Sequence, residues 1–231
     1  MLKQVLTGAV ALLAVAGAAR AEIVSKSGKF GGLQIDYKVS LPPGYSADKA
    51  YPLVLVFTGG GQALQAAQNT IEVDWRAEAD KRGYIVVSPG APGGALFFQG
   101  GDVAFPAFLD TIRKDYKVAG KIHIAGHSNG GLSAFHIAAK YPAYFSTVTG
   151  YPGLYEDAQG SPMTKLKPLC LYMHSGSLDP EWSGAMQEQS AEMRRDGYKI
   201  KYTLENGQPH RLKAPEINLS NRLFDEIESC K

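Results

Sequence analysis

The feature that most constrains this chain is a series of short, unbroken apolar runs separated by longer amphipathic stretches. Leu53-Val54-Leu55-Val56-Phe57, Tyr84-Ile85-Val86-Val87 and Leu169 to Met173 contain no charged residue, and the first two are rich in β-branched side chains. A strand with one wet face alternates apolar and polar residues. An unbroken run is expected where both faces are covered, as in a parallel sheet. Residues 121–125 and 145–149 read as further strands of the same sheet. Helices are predicted between them: Glu72 to Arg82, closed by Gly83; Asp102 as N-cap of a helix to Tyr116; Ser128 to the residues before Pro142; Glu181 to Arg195, closed by Gly197; and Glu216 to Glu228. Alternating strands and helices imply an α/β domain with helices on both sheet faces. Residues 22–45 have the period-two pattern of an antiparallel lead-in (Leu33, Ile35, Tyr37, Val39, Leu41), and Lys199 to Leu204 alternate as an outer strand.

The first 21 residues read differently. Lys3 precedes an apolar stretch from Val5 to Ala18, and Ala19-Arg20-Ala21 has the small-x-small form of a cleavage site. This predicts a secretory signal peptide at 1–21, one domain at 22–231, and an exported protein in the periplasm or outside the cell with no membrane anchor after cleavage. Residues 1–21 hold two of the 24 Lys and Arg and none of the 22 Asp and Glu, so the remainder is balanced in charge. No basic run or basic-aromatic interleaving argues for nucleic acid or an anionic membrane. Cys170 and Cys230 lack metal-ligand spacing, so no metal is expected, and an exporting route permits a disulfide. A monomer is expected.

Gly126-His127-Ser128-Asn129-Gly130 is a G-x-S-x-G between a predicted strand and a predicted helix. In 231 residues with 26 glycines that pattern is weak alone; its place after a buried strand gives it meaning. Such a turn presents the Ser128 hydroxyl at its apex, beside the positive end of the following helix. A serine needs a base to take its proton and an acid to hold that base. His123 lies in a strand and His136 on a helix packing face, so both read as core. His127 adjoins Ser128 and cannot turn back to it. His174 ends a strand and reads as structural or as a pocket wall. His210, in a loop past the last strand, is the expected base. Asp179, in the loop after 169–173, is the expected acid, with Asp157 and Glu156 as runners-up and Glu205 at the end of its own strand. Backbone N–H groups of Asn129 and of Gly60, or alternatively Gly61, are the expected oxyanion donors. The glycine turn 59–61 lacks a following Gly-Lys-Ser/Thr, so a phosphate loop is disfavoured. Phe97, Phe98 and Trp182 are candidate pocket walls, with Tyr151 and Tyr155 of the same standing; ordinary packing is an equal reading for each.

On these residues the chain resembles the α/β-hydrolase superfamily, and within it the secreted esterases grouped with polyhydroxybutyrate depolymerases and feruloyl or acetylxylan esterases. The likeness rests on Leu41-Pro42-Pro43-Gly44-Tyr45, the strand and glycine loop ending at Gly61, residues 126–131, the segment from His174 to Asp179, and His210. It implies an α/β-hydrolase fold, hydrolysis of carboxylic esters, small or polymer-linked, through an acyl-enzyme, and no cofactor. Two departures stand out: Thr58-Gly59 replaces the usual His-Gly before the oxyanion loop, and the short segment between elbow and Asp179 leaves little room for a lid. In that fold the last helix ends near the amino end of the strand carrying Cys170, so Cys170 and Cys230 are a candidate disulfide pair, with bridged and unbridged both left open. A thioesterase or prolyl-oligopeptidase-type peptidase keeps the same mechanism, and a hydrolase-fold binding protein without turnover is the remaining alternative.

Overall fold

The computed structural model describes residues 22–156, 160 and 162–230. The predicted leader at 1–21 and the runner-up Asp157 lie outside them. A single eight-stranded sheet has the order β1-β2-β4-β3-β5-β6-β7-β8. β1 (Ile23–Phe30) and β2 (Leu33–Ser40) form an antiparallel hairpin, and β2 joins β4 (Ile85–Pro89) antiparallel. From β4 onward, through β3 (Leu53–Phe57), β5 (Ile122–Gly126), β6 (Phe145–Gly150), β7 (Cys170–Gly176) and β8 (Lys199–Glu205), every pairing is parallel. The unbroken apolar runs are therefore explained. Leu53, Leu55 and Phe57 enter one core while Val54 and Val56 enter the other.

The first core is closed by α3 (Phe105–Asp115), α4 (Asn129–Lys140) and α5 (Pro180–Arg195). The second is closed by α6 (Leu219–Ser229) and the segment from α1 (Leu64–Thr70) to α2 (Arg76–Arg82). That segment is helical from Leu64, eight residues before the predicted start at Glu72. A π-turn over Ile71–Trp75 joins its two α-helical parts and turns Ile71 and Trp75 into the core. Asp102 is likewise not an N-cap. It lies fully buried in a 3-10 turn ahead of α3, and its carboxylate accepts from His136 Nε2 (2.8 Å) and Lys140 Nζ of α4. Burial pushes that carboxyl upward, but the bonds and charges of Lys140 and His136 outweigh it and hold it below the usual range. The residue was available as a cap, but its buried carboxylate is instead satisfied by two donors from α4, one of them the half-buried Lys140 ammonium.

Cys170 and Cys230 are disulfide-bonded and join β7 to the end of α6 across 60 residues of sequence. Closing a loop of that length removes about 4 kcal/mol of chain entropy from the unfolded state in the loop-closure account. Reduction, or a Cys170→Ala/Cys230→Ala double substitution, is accordingly expected to lower Tm by roughly ten degrees or more without loss of secondary structure at room temperature. A melt unchanged by reductant would show the bridge to be thermodynamically idle.

A second set of ties surrounds His174 on β7. This fully buried ring donates to Glu205 of β8 through Nδ1 (2.9 Å) and to Glu226 of α6 through Nε2 (2.8 Å). Arg222 forks onto Glu205 at 3.0 and 2.6 Å, and Lys201 pairs with Glu226. Burial opposes the charge on His174, but the two carboxylates raise its pKa above the ordinary value. Glu205 is driven the other way: burial raises it, and His174 and Arg222 bring it down to about 2. The signs differ. The His174 contribution is complete below about pH 6.5 and fades as pH rises through its raised folded value; the Glu205 contribution is complete above about pH 4.5 and is lost as pH falls toward 2. Equilibrium unfolding is expected to show falling stability from pH 4.5 downward, and Glu205→Gln is expected to flatten that limb. An unaltered acid limb in the variant would remove Glu205 as its cause.

Candidate active site

The parallel strands end at one edge, and the loops there bring Ser128, His210 and Asp179 together. Ser128 lies between β5 and α4 with φ 57° and ψ −125°, a conformation few L-residues adopt. The turn is affordable because its neighbours lack side chains. A Cβ on Gly126 would sit 2.0 Å from the Gly130 carbonyl oxygen, and one on Gly130 would sit 2.3 Å from that of Phe57. The Ser128 N–H donates to the Pro152 carbonyl at 2.7 Å, which fixes the elbow against the loop after β6.

Ser128 Oγ is 3.0 Å from His210 Nε2, and His210 Nδ1 is 2.6 Å from Asp179 Oδ2. A carboxylate only accepts, so Nδ1 carries the ring proton and Nε2 presents its lone pair to the serine hydroxyl. The loops that carry Asp179 and His210 are interlocked. Leu178 N–H donates to Gln208 O, Gly207 N–H to Ser177 Oγ, and a Cβ on Gly176 would meet the Gln208 oxygen at 2.1 Å. Arg211, next to His210, donates from Nη2 to both carboxylate oxygens of buried Asp74 in the π-turn, at 2.9 and 2.7 Å. Of the other predicted acids, Glu205 serves His174, and Glu156 lies exposed on the loop after β6.

The remaining histidines are placed as structural groups. His123 bonds Thr147 and Ser146, and burial depresses it to about 4. His136 holds Asp102, and His174 holds two glutamates. His127 stands edge-on to His210 with ring centroids 5.5 Å apart. Burial, then the charges of Arg211 and His210, push it down to about 3, so it remains neutral. Its ring also fills the space above Gly59, where a Cβ would come within 2.5 Å of Nδ1.

The glycine loop after β3 is tied to the elbow. Asn129 Nδ2 donates to the Gly60 carbonyl at 3.0 Å, and Gly60 has φ 59°. Asn129 is the first residue of α4, where backbone N–H groups lack intrahelical acceptors. Gln62, fully buried, organises the same loop. Its Nε2 donates to Ser133 Oγ (2.9 Å) and the Asn129 carbonyl (3.3 Å), and its Oε1 accepts from Phe97 N–H (3.1 Å). Sequence reading assigned Gln62 no role. The only local signal was a long amide closing a glycine run. Thr58, before the glycine loop, accepts a hydrogen bond at its Oγ1 from Thr70 Oγ1 of α1 at 3.1 Å.

The aromatic candidates divide. Phe97 is fully buried between Phe57 and Phe105, and Phe98 is buried too, so these two are packing residues and not pocket walls. Tyr151 is buried as well, its hydroxyl accepting from Trp75 Nε1 at 2.8 Å, and Tyr155 is tied to Gln189 through its backbone. Trp182, in the first turn of α5, lies against His210 with ring centroids 5.2 Å apart. It lines a cavity of about 160 Å³ with Leu154, Glu156, Glu181 and Ala185. Among the described residues, the helical structure between β6 and β7 is a 3-10 turn at Met163–Leu166. No group of three or more His, Cys, Asp or Glu among the described residues is placed to hold a metal ion.

The sequence model of the Esterase family matches residues 107–208, a span that includes the elbow and Asp179. A dipeptidyl-peptidase 5 of Porphyromonas gingivalis is 28% identical over 135 residues, which are 51% of this chain and 19% of that protein. The chain thus spans about a fifth of that relative. Among solved structures, a ferulic acid esterase superposes with a TM-score of 0.71 at 18% identity, covering 90% of this chain and 98% of the other. A thermostable esterase superposes at 0.70 with 18% identity, covering 89% of this chain and 62% of the other. Sheet order, elbow and structural neighbours together give this chain the α/β-hydrolase fold, with a match to the Esterase model over residues 107–208.

Proposed function

We propose that the protein is an exported serine hydrolase that cleaves carboxylic esters through an acyl-enzyme, acting as a monomer without a cofactor. The observation that carries this reading is the hydrogen-bonded series Ser128–His210–Asp179 at 3.0 and 2.6 Å. Ser128 Oγ bonds to the ester carbonyl carbon while its proton passes to His210 Nε2. The carbonyl electrons collect on oxygen, received by the Asn129 N–H and one from Gly60 or Gly61; each such donor is worth about 3 kcal/mol in the transition state. The carbon–oxygen bond to the alcohol then breaks, and the His210 proton goes to the leaving oxygen. Water repeats the cycle, giving its proton to His210 and releasing the acid and Ser128. Asp179 keeps Nδ1 protonated and steadies the imidazolium. Export is supported by the sequence of residues 1–21 and by the disulfide, which suits an oxidising compartment.

The test is a fluorophosphonate probe on the intact protein, followed by peptide mass analysis. Rapid stoichiometric labelling at Ser128 is expected; failure to label, or labelling elsewhere, would sink the reading. A serine peptidase of the same mechanism is the second reading, favoured by the match to a dipeptidyl-peptidase. Dipeptidyl p-nitroanilides turned over faster than p-nitrophenyl acetate would select it.

A further inference from the structure

The small cavity beside the triad has walls from two places. Leu154 and Glu156 come from the loop after β6; Glu181, Trp182 and Ala185 come from the first turns of α5. Both walls are anchored to reacting groups. Pro152, two residues before Leu154, accepts the Ser128 N–H, and Trp182 contacts the His210 ring. The sheet order settles which side of the serine this is. Gly60 and Gly61 follow β3, on one side of β5; the cavity lies between the ends of β6 and β7, on the other. The carbonyl oxygen must point to the glycine loop. The leaving oxygen must face His210, because it takes the proton from Nε2. A cavity that shares a wall with His210 and lies opposite the glycine loop therefore receives the alcohol part of the ester.

The chemistry of the lining narrows what that part is. Glu156 and Glu181 are both exposed carboxylates at the cavity, and Trp182 offers an indole face partly shielded from water. The named lining contains no cation. An aromatic wall with anionic neighbours attracts a positively charged head through the ring quadrupole and through Coulomb attraction, and it repels an anionic one. The volume suits a single compact group and not an extended chain.

Resting on the ester-hydrolase reading above, we propose that this cavity is the alcohol subsite and that Trp182, Glu156 and Glu181 make the protein select esters of cationic alcohols over esters of anionic ones. The natural substrate class is then an ester whose alcohol carries a compact ammonium group.

The test compares three acetate esters of similar shape on the full protein: acetylcholine, its neutral tert-butyl counterpart, and acetyl isethionate, which is anionic. A kcat/KM order of cationic over neutral over anionic is expected, with about tenfold between the extremes, because exposed charge pairs and a cation over an indole each give a several-fold effect. Raising salt to about 1 M is expected to compress that ratio severalfold. Glu156→Gln with Glu181→Gln is expected to bring the ratio of cationic to anionic ester down to about twofold, and Trp182→Leu to lower kcat/KM for acetylcholine more than for acetyl isethionate. A ratio near one in the wild type, with the neutral ester still hydrolysed, overturns the subsite and leaves the esterase reading standing. So does a tenfold ratio that survives both high salt and the double substitution. Hydrolysis of none of the three, together with no fluorophosphonate labelling, overturns the esterase reading itself, and the subsite with it.

Discussion

Ser128→Ala is expected to lower kcat for p-nitrophenyl acetate by about five to six orders of magnitude, to the background of the reagent in buffer. The size follows from the role proposed for Ser128. Without Oγ there is no covalent intermediate, and His210 and Asp179 have nothing to activate; such residues act as a unit, so losing one costs nearly as much as losing all. A million-fold loss corresponds to about 8 kcal/mol of transition-state stabilisation. The fold should survive the change. Ala keeps the Cβ, the strained φ of 57° is imposed by β5, α4 and their glycines, and the Ser128 N–H bond to Pro152 is untouched. Circular dichroism and Tm close to wild type, with activity gone, is the expected pair of readings. A folded variant that keeps even a hundredth of the activity would mean that some other group is the nucleophile.

Asp179→Asn should be the next most severe, at about four orders of magnitude in kcat. The amide can present its NH₂ to His210 Nδ1 and so favour the tautomer with the proton on Nε2, which faces Ser128 with a donor where an acceptor is required. This substitution separates chemistry from stability unusually well. Asp179 occupies the N-cap position of α5, yet its carboxylate makes no capping bond and turns instead to His210. Asn is also as good a cap as Asp. Thermal melting should therefore barely change while turnover collapses. A loss of less than tenfold would show that His210 is held by something else, and the pH profile of kcat/KM in the variant would show whether the base had changed.

The parts of this molecule that could be read from the chain share a property. The Ser128 elbow, the β5–α4 junction and the unbroken β3 run depend on residues within a turn or two of each other, where spacing translates into geometry. Even His210 and Asp179 were legible, because each follows a strand and parallel strands end on one edge of the sheet. The misreadings were of another kind. Asp102 had the residue type and place of an N-cap, and Phe97 lay in a glycine- and proline-rich loop that suggested a pocket. Each was decided by what packs across from it: His136 and Lys140 for Asp102, Phe57 and Phe105 for Phe97.

What the sequence determined by itself was the order of layers, the strained turn at Ser128 and which serine, aspartate and histidine meet at one edge of the sheet. Periodicity reports which face a residue takes, and glycine spacing reports where the backbone must bend. Only the tertiary structure decided the partners. Gln62 meets Ser133 across 71 residues, His174 meets Glu226 across 52, and Arg211 meets Asp74 across 137. A buried polar group must find a hydrogen-bond partner somewhere, but local pattern does not say where, because burial creates the need and the fold supplies the neighbour.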